Sequence, residues 1–187
     1  MQNSDKATVC VFFNANIEPH TTQVLINTLS NLANKGVKTV QLLLSSNGGD
    51  VGCGLALYHV LRGMPFELIT HNVGCVDSIG VTVFLAGTKR YACPDTSFLL
   101  HGIRHTITVP VQIDDGQARD LQAINQRSYD ILSSILKRHT NLEGFYTQPV
   151  QQQIFTAADA LQCGLIHNIA DVVVEPGTEI GAMVFPK

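Results

Sequence analysis

The sequence has 187 residues, of which 45% are hydrophobic and 14% charged, with a formal net charge of −3 at pH 7. This length fits one domain with a substantial core and leaves no room for a second. No apolar run approaches the roughly 18 residues of a membrane helix. The 12 basic residues are scattered, so we expect neither a nucleic-acid nor a membrane partner. The polar start, followed by a short strand-like apolar run, is unlike a signal peptide and predicts a cytoplasmic protein.

Cysteine and histidine spacing argues against metal sites and disulfides. The five cysteines are odd in number and contain no close pair, and we expect each to be a small buried residue. His101 and His105 are four residues apart, but no Glu lies between them and no further ligand stands nearby, so we expect no metal and no cofactor.

Strands alternate with helices along the chain. Residues 7–13 predict a strand, and the helix that follows Pro19 is expected to stop at Gly36. Two more pairs follow: a strand at 39–44 with a helix from Val51, and a strand at 66–73 with a helix over 79–86. Short strands are predicted at 91–93 and 97–101, then an extended arm and a long amphipathic helix containing Ile124. This alternation predicts an α/β domain.

Two glycine-containing turns lie where a strand leads into a helix. The turn SNGGDV contains Gly48 and Gly49, and the turn containing DSIG places Ser78 at the start of the next helix. If the turns converge, backbone N–H groups at helix N-termini stabilise a developing negative charge beside a nucleophile. Taken singly, each motif is better explained by structure alone, with Ser78 and Asp77 as N-cap residues and the glycines making a tight turn.

Three segments together resemble the Clp proteolytic-subunit family. SNGGDV at 46–51 is similar to the family's glycine turn. GCVDSIGVTVFLAGTKRYACPDTSFLLH at 74–101 resembles its nucleophile-to-histidine segment, and TAADALQCGLIHNI at 156–169 its closing helix, turn and strand. The resemblance covers about residues 7–175. It implies the fold shared with the crotonases, built from repeated β-β-α units, as a single domain over residues 1–187 with a handle-like arm at about 104–140.

The resemblance implies a serine endopeptidase that acts on peptides or unfolded proteins. Ser78 matches the nucleophile, His101 the general base, and the backbone amides of Gly49 and Ile79 the oxyanion donors. Counting back from TAAD without a gap places Gln148 where the family has the aspartate that orients the histidine.

Two positions depart from the family pattern. Gln148 can orient His101 but carries no charge, and Glu143 is the alternative if the register differs. Asp77 stands where the family tends to have a small residue; there it caps the helix or opposes the oxyanion by like charge.

The resemblance also implies partners. An exposed alternating strand in the arm favours a homo-oligomeric ring. The chain starts close to its first core strand, without the family's N-terminal helix and axial loop, which argues against coupling to an ATPase unfoldase.

Three function classes remain open at this point. The first is the serine peptidase. The second is a crotonase-type enzyme that acts on acyl-CoA, since that superfamily shares the fold and the paired backbone amides. The third is a catalytically silent scaffold subunit, which the residues at 77 and 148 make plausible. A thiol nucleophile at Cys53 or Cys75 would displace the matched serine and is not expected.

Overall fold

The structure, a computed structural model, describes residues 8–103, 114–142 and 152–182. The helices are α1 (Pro19–Asn34), α2 (Val51–Arg62), α3 (Ile79–Phe84), α4 (Asp115–His139) and α5 (Ala157–Cys163). The strands are β1 (Val9–Asn14), β2 (Thr39–Ser46), β3 (Glu67–Asp77), β4 (Lys89–Ala92), β5 (Ser97–His101), β6 (Gln152–Thr156), β7 (Asn168–Ile169) and β8 (Glu179–Ala182).

The described strands form one sheet in the order β6-β5-β3-β2-β1-β8, with β4 between β3 and β7. All pairings are parallel except that of β5 with β6. The long strand β3 pairs with β4 over 69–72 and with β5 over 75–77. The α/β prediction is confirmed, and the carboxyl ends of β2, β3 and β5 meet at one edge of the sheet.

Alternation and helical spacing account for the core. In β2, Val40, Leu42 and Leu44 are fully buried while their neighbours are partly exposed. Helix α1 buries Leu25 and Leu29, which lie one turn apart and therefore share a face. These are the positions at which the sequence patterns predict apolar contacts.

Some predictions need correction. Strand β3 continues through Asp77, four residues beyond the predicted end, because its last three residues pair with β5. Ile124 of α4 is 57% exposed, although its spacing predicts an inward position. All five cysteines are free, but only Cys10 and Cys163 are buried. The other three are partly exposed because they lie near turns or strand ends.

The predicted arm at 104–112 lies outside the described residues, and only α4 of the predicted handle is described. Within the described ranges, no helix is both long and apolar enough to cross a bilayer.

A buried polar cluster joins the ends of α4 and α5. The Arg90 guanidinium, on a residue only 5% exposed, donates to the carbonyls of Leu165 at 2.8 Å and Gly164 at 3.0 Å. Beside it, the hydroxyl of Tyr58 lies 2.8 Å from Nε2 of His139. Burial, together with the charge of Arg90, lowers the pKa of His139 to about 4.

The lowered pKa of His139 predicts acid sensitivity. The unfolded chain binds a proton at this group below about pH 6.5, whereas the folded protein does so only near its lowered pKa of about 4. The contribution of His139 to stability is therefore full above pH 6.5 and falls between these two values. Because the ring is partly exposed, we expect a loss of about 1 kcal/mol rather than the full shift.

Urea unfolding of the wild type and of His139→Gln, at pH 7.5 and pH 4.5, measures this contribution. The variant should lose less stability on acidification than the wild type. Equal losses in the two proteins would contradict the assignment.

Candidate functional site

Ser78 lies in a strained turn between β3 and α3. Its backbone has φ 58° and ψ −127°, and it is the one non-glycine residue with positive φ in the described part of the chain. Such a conformation costs of order 1–3 kcal/mol. Its N–H donates to the Leu99 carbonyl at 2.6 Å, and its own carbonyl accepts from Val81 at 3.1 Å. The neighbouring strand and the following helix therefore hold this turn in place.

The turn after β2 packs directly against Ser78. A Cβ on Gly48 would lie 2.7 Å from the Cβ of Ser78 and 2.8 Å from the Asp77 carbonyl oxygen. Gly49 has φ 148°, and a Cβ there would collide with the backbone of Ile17. The two turns therefore converge, which was the condition for placing their N–H groups beside Ser78, and glycine is needed at both positions for steric reasons.

The backbone N–H groups of Gly49 and of Ile79, the first residue of α3, have no hydrogen-bond acceptor among the described residues. First-turn N–H groups of a helix are unsatisfied by construction. Both residues line the same cavity as Ser78, so their donors are available to a ligand oxygen.

His101 is the last residue of β5. Its Nδ1 lies 2.6 Å from the carbonyl oxygen of Gly102. A carbonyl only accepts, so Nδ1 carries the proton and, in the neutral ring, Nε2 has the free lone pair. The His101 ring and the Ser78 hydroxyl form no hydrogen bond with each other here. Such contacts are often long in unliganded sites.

The side chains and backbone groups described above surround one cavity of about 220 Å³. Its walls combine the polar groups with apolar side chains from α2, α3 and α4. The lining residues are Asn47, Gly49, Val51, Ser78, Ile79, His101, Ile103 and Leu132. The structure thus brings together four of the five residues that the sequence predicts for the site.

The fifth, Gln148, lies outside the described residues, as do Glu143 and His105. Sequence reasoning missed the Gly102 carbonyl, because a main-chain acceptor leaves no mark in the sequence. It also missed Leu132 as a wall of the site, although the helical pattern of α4 includes this residue in an apolar row. Among the described residues, no group of three or more His, Cys, Asp and Glu side chains is arranged to hold a metal ion.

Asp77 does not cap α3. Ser78 occupies the N-cap position, and no side chain makes a capping hydrogen bond there. Burial raises the pKa of the Asp77 carboxyl, while a hydrogen bond from the Leu99 backbone and the charge of His101 act in the opposite direction. Asp77 is therefore a partly buried carboxyl group beside the candidate site.

The nearby thiols have the wrong environment for a nucleophile. Burial raises the pKa of Cys53 above its ordinary value, and the Asp50 carboxylate raises it further. The thiolate, which is the reactive form, is therefore disfavoured. Cys75 Sγ lies 3.6 Å from Oδ1 of Asn47 and does not line the cavity.

Comparison with known proteins gives one consistent result. The profile of the family described as Clp protease matches residues 5–173. The chain is 30% identical over 142 residues to ATP-dependent Clp protease proteolytic subunit 1 of Mycobacterium bovis, a match covering 71% of this chain and 66% of that protein. It is also 30% identical to subunit 2 of Thermobifida fusca, over 71% of this chain and 65% of that protein. The matches thus span about two thirds of the length of these relatives.

A solved structure shows the same fold. A ClpP1 mutant from Listeria monocytogenes superposes with a TM-score of 0.69 at 18% sequence identity, covering 90% of this chain and 93% of that chain. At this identity the likeness concerns the fold alone.

The contact between α2 and α3 predicts a stability effect. A Cβ on the buried Gly54 would collide with Cγ1 of Ile79 and lie 3.1 Å from its Cδ1. We therefore expect Gly54→Ala to lower the free energy of unfolding by about 1–3 kcal/mol.

Gly52→Ala is the matched control, because Gly52 lies on the exposed side of the same helix, where a Cβ would meet only the Asp50 carboxylate at 3.2 Å. It should leave stability unchanged or raise it by up to about 1 kcal/mol, because alanine favours a helix more than glycine does. Urea denaturation compares the two. Equal effects would show that α2 does not pack on α3 as closely as described.

Proposed function

Because the chain belongs to the Clp protease family, we propose that it is a serine peptidase with Ser78 as nucleophile and His101 as general base. One observation carries the proposal. Ser78, His101, Gly49 and Ile79 all line one cavity at the edge of the sheet, and the N–H groups of Gly49 and Ile79 have no acceptor among the described residues. The family assignment also favours a peptidase over the acyl-CoA enzyme that shares this fold.

The first chemical step follows from the tautomer of His101. Its Nδ1 donates to Gly102, so Nε2 is the atom that accepts the hydroxyl proton as Ser78 Oγ attacks a peptide carbonyl. The carbonyl oxygen becomes an oxyanion, which the N–H groups of Gly49 and Ile79 stabilise. These donors are fixed by the backbone, so they need no rearrangement when the charge develops.

The second half of the reaction reverses the proton transfer. The protonated His101 gives its proton to the leaving amine, and the C–N bond breaks to leave an acyl group on Ser78. Water then attacks this ester with His101 again as base, releasing the carboxylic acid and free Ser78.

The proposal extends to substrate and assembly. Peptides or unfolded polypeptides fit an open cavity at a sheet edge, and we take residues 1–187 as one peptidase domain with a handle at about 104–140. Ile124 on α4 is 57% exposed and Ile154 on β6 is 64% exposed. Apolar side chains of this size favour contact with further copies of the chain, which supports a homo-oligomeric ring.

Labelling by a fluorophosphonate probe tests the nucleophile. The wild type should be labelled at Ser78 and should hydrolyse a small peptide substrate, whereas Ser78→Ala should lose both with its fold intact, because it removes one oxygen atom. Ser134→Ala, which changes an exposed serine on α4, is the matched control and should keep both.

Hydrolysis that survives in Ser78→Ala would refute the nucleophile. A folded wild type that is neither labelled nor active would instead identify a catalytically silent subunit.

Gln148 stays a prediction as the third residue of the site, where its amide oxygen would accept the Nδ1 proton of His101 in place of the Gly102 carbonyl. An amide orients the histidine but adds no charge, so Gln148→Asp and Gln148→Glu should raise kcat, and Gln148→Ala should lower it. In a serine protease an unfavourable third residue costs about 10⁴-fold in kcat, which sets the upper bound of the gain. Steady-state peptide hydrolysis measures kcat. Equal kcat values for the wild type and the three variants would show that Gln148 is not part of the site.

A further inference from the structure

A carboxylate helps a catalytic histidine in two ways: it orients the ring, and its negative charge stabilises the imidazolium. Building on the proposed function, we propose that this chain divides them: the carbonyl of Gly102 orients His101, and the carboxylate of Asp77 supplies the negative charge. Asp77 is then a positioning residue that acts through His101, rather than a cap of α3.

The Gly102 carbonyl already satisfies the orienting role. It lies 2.6 Å from Nδ1 of His101, a short and well-formed hydrogen bond. The bond fixes the proton on Nδ1 and directs the Nε2 lone pair elsewhere. A main-chain carbonyl is neutral, however, so it gives much less support than a carboxylate to the imidazolium that forms when Ser78 loses its proton.

Sheet register brings Asp77 to the same side as His101. Asp77, at the end of β3, pairs with Leu99 of β5, and His101 follows Leu99 by two residues. Side chains two apart on a strand share a face, as do those of paired residues. Neighbouring strands are about 4.8 Å apart and two residues advance about 6.6 Å, which places the two Cα atoms about 8 Å apart. The charged groups of the Asp and His side chains can lie closer together than these two Cα atoms.

The charges are arranged to interact. His101 is the one ionisable group, among the described residues, whose charge acts on Asp77. Burial raises the pKa of the Asp77 carboxyl, and a hydrogen bond from the Leu99 backbone acts against burial by favouring the carboxylate form. Partial burial weakens screening by water and salt. Since Coulomb attraction is mutual, a carboxylate at this place stabilises the imidazolium of His101.

Asp77 also directly precedes the proposed nucleophile Ser78. From this position its charge could slow the reaction rather than speed it. If its charge acted chiefly on the oxyanion, it would slow the reaction by like-charge repulsion. The Leu99 pairing holds Asp77 beside β5, the strand that carries His101, whereas the Gly49 and Ile79 donors belong to the turn after β2 and to the start of α3. The geometry therefore favours action on His101, and the sign of the effect on rate distinguishes the two.

Kinetics of Asp77→Asn and Asp77→Glu test the inference. Asp77→Asn should lower kcat and the rate of fluorophosphonate labelling of Ser78 by about tenfold, with KM nearly unchanged. The acid limb of its profile of kcat/KM against pH should move to lower pH, because the protonated ring loses support. Asp77→Glu keeps the charge. It should therefore restore most of the rate and return the acid limb close to its wild-type position.

Asp95→Asn provides the matched control. It removes the same charge from an exposed residue near the opposite end of β5, and should leave rate and pH profile unchanged. If Asp77→Asn does not fold, Asp77→Ala, a smaller residue in the same place, should show the same loss and the same shift.

The outcomes separate this inference from the proposed function. A wild type that the probe does not label refutes the peptidase itself, and the inference with it. Suppose that the wild type is labelled and active and that Asp77→Asn or Asp77→Ala folds. The inference alone is then refuted if the variant has the same rate and pH profile as the wild type, or if it is faster. A slower variant with an unmoved acid limb, or no rescue by Asp77→Glu, would assign Asp77 a purely structural role and also overturn it.

Discussion

The contact between two strand-to-helix turns determines the rest of the site. Parallel pairing of β2 with β3 brings the two turns side by side, and Gly48 touches the backbone of Asp77 and the side chain of Ser78. A side chain at position 48 would separate them. The close approach places a hydroxyl group and two unsatisfied N–H groups around one small volume. This arrangement suits stabilisation of a negative oxygen, because the donors are fixed before any charge develops.

The strain at Ser78 is maintained by its surroundings. A positive φ at a non-glycine residue persists only where neighbouring structure determines it. Here the Leu99 carbonyl binds the N–H of Ser78, and α3 begins at the next residue. Helix α2 contributes as well, since Gly54 allows it to lie against Ile79. Ser78 is thus supported by the sheet on one side and two helices on the other.

Charge is sparse around the cavity, and this shapes the chemistry that we propose. The ring of His101 is hydrogen bonded to a neutral carbonyl, and the charge of His101 acts on the partly buried carboxyl of Asp77. Main-chain carbonyls also bind a buried cation elsewhere in the protein. The buried Arg90 is held by the main-chain carbonyls of Gly164 and Leu165, which directly follow α5. Main-chain acceptors in both places orient a nitrogen base or cation without adding a full charge.

Sequence patterns by themselves determined the alternation of strands and helices, the family and four residues of the candidate site. Periodicity, turn residues such as Gly48 and Gly49, and the order of short motifs are local properties, so they can be recognised in the sequence alone. Only the tertiary structure decided that the turns converge, that β3 runs on to Asp77 and that Gly102 binds His101. These features depend on pairing between β3 and β5 and on main-chain groups, which every residue has and which no residue type can therefore reveal.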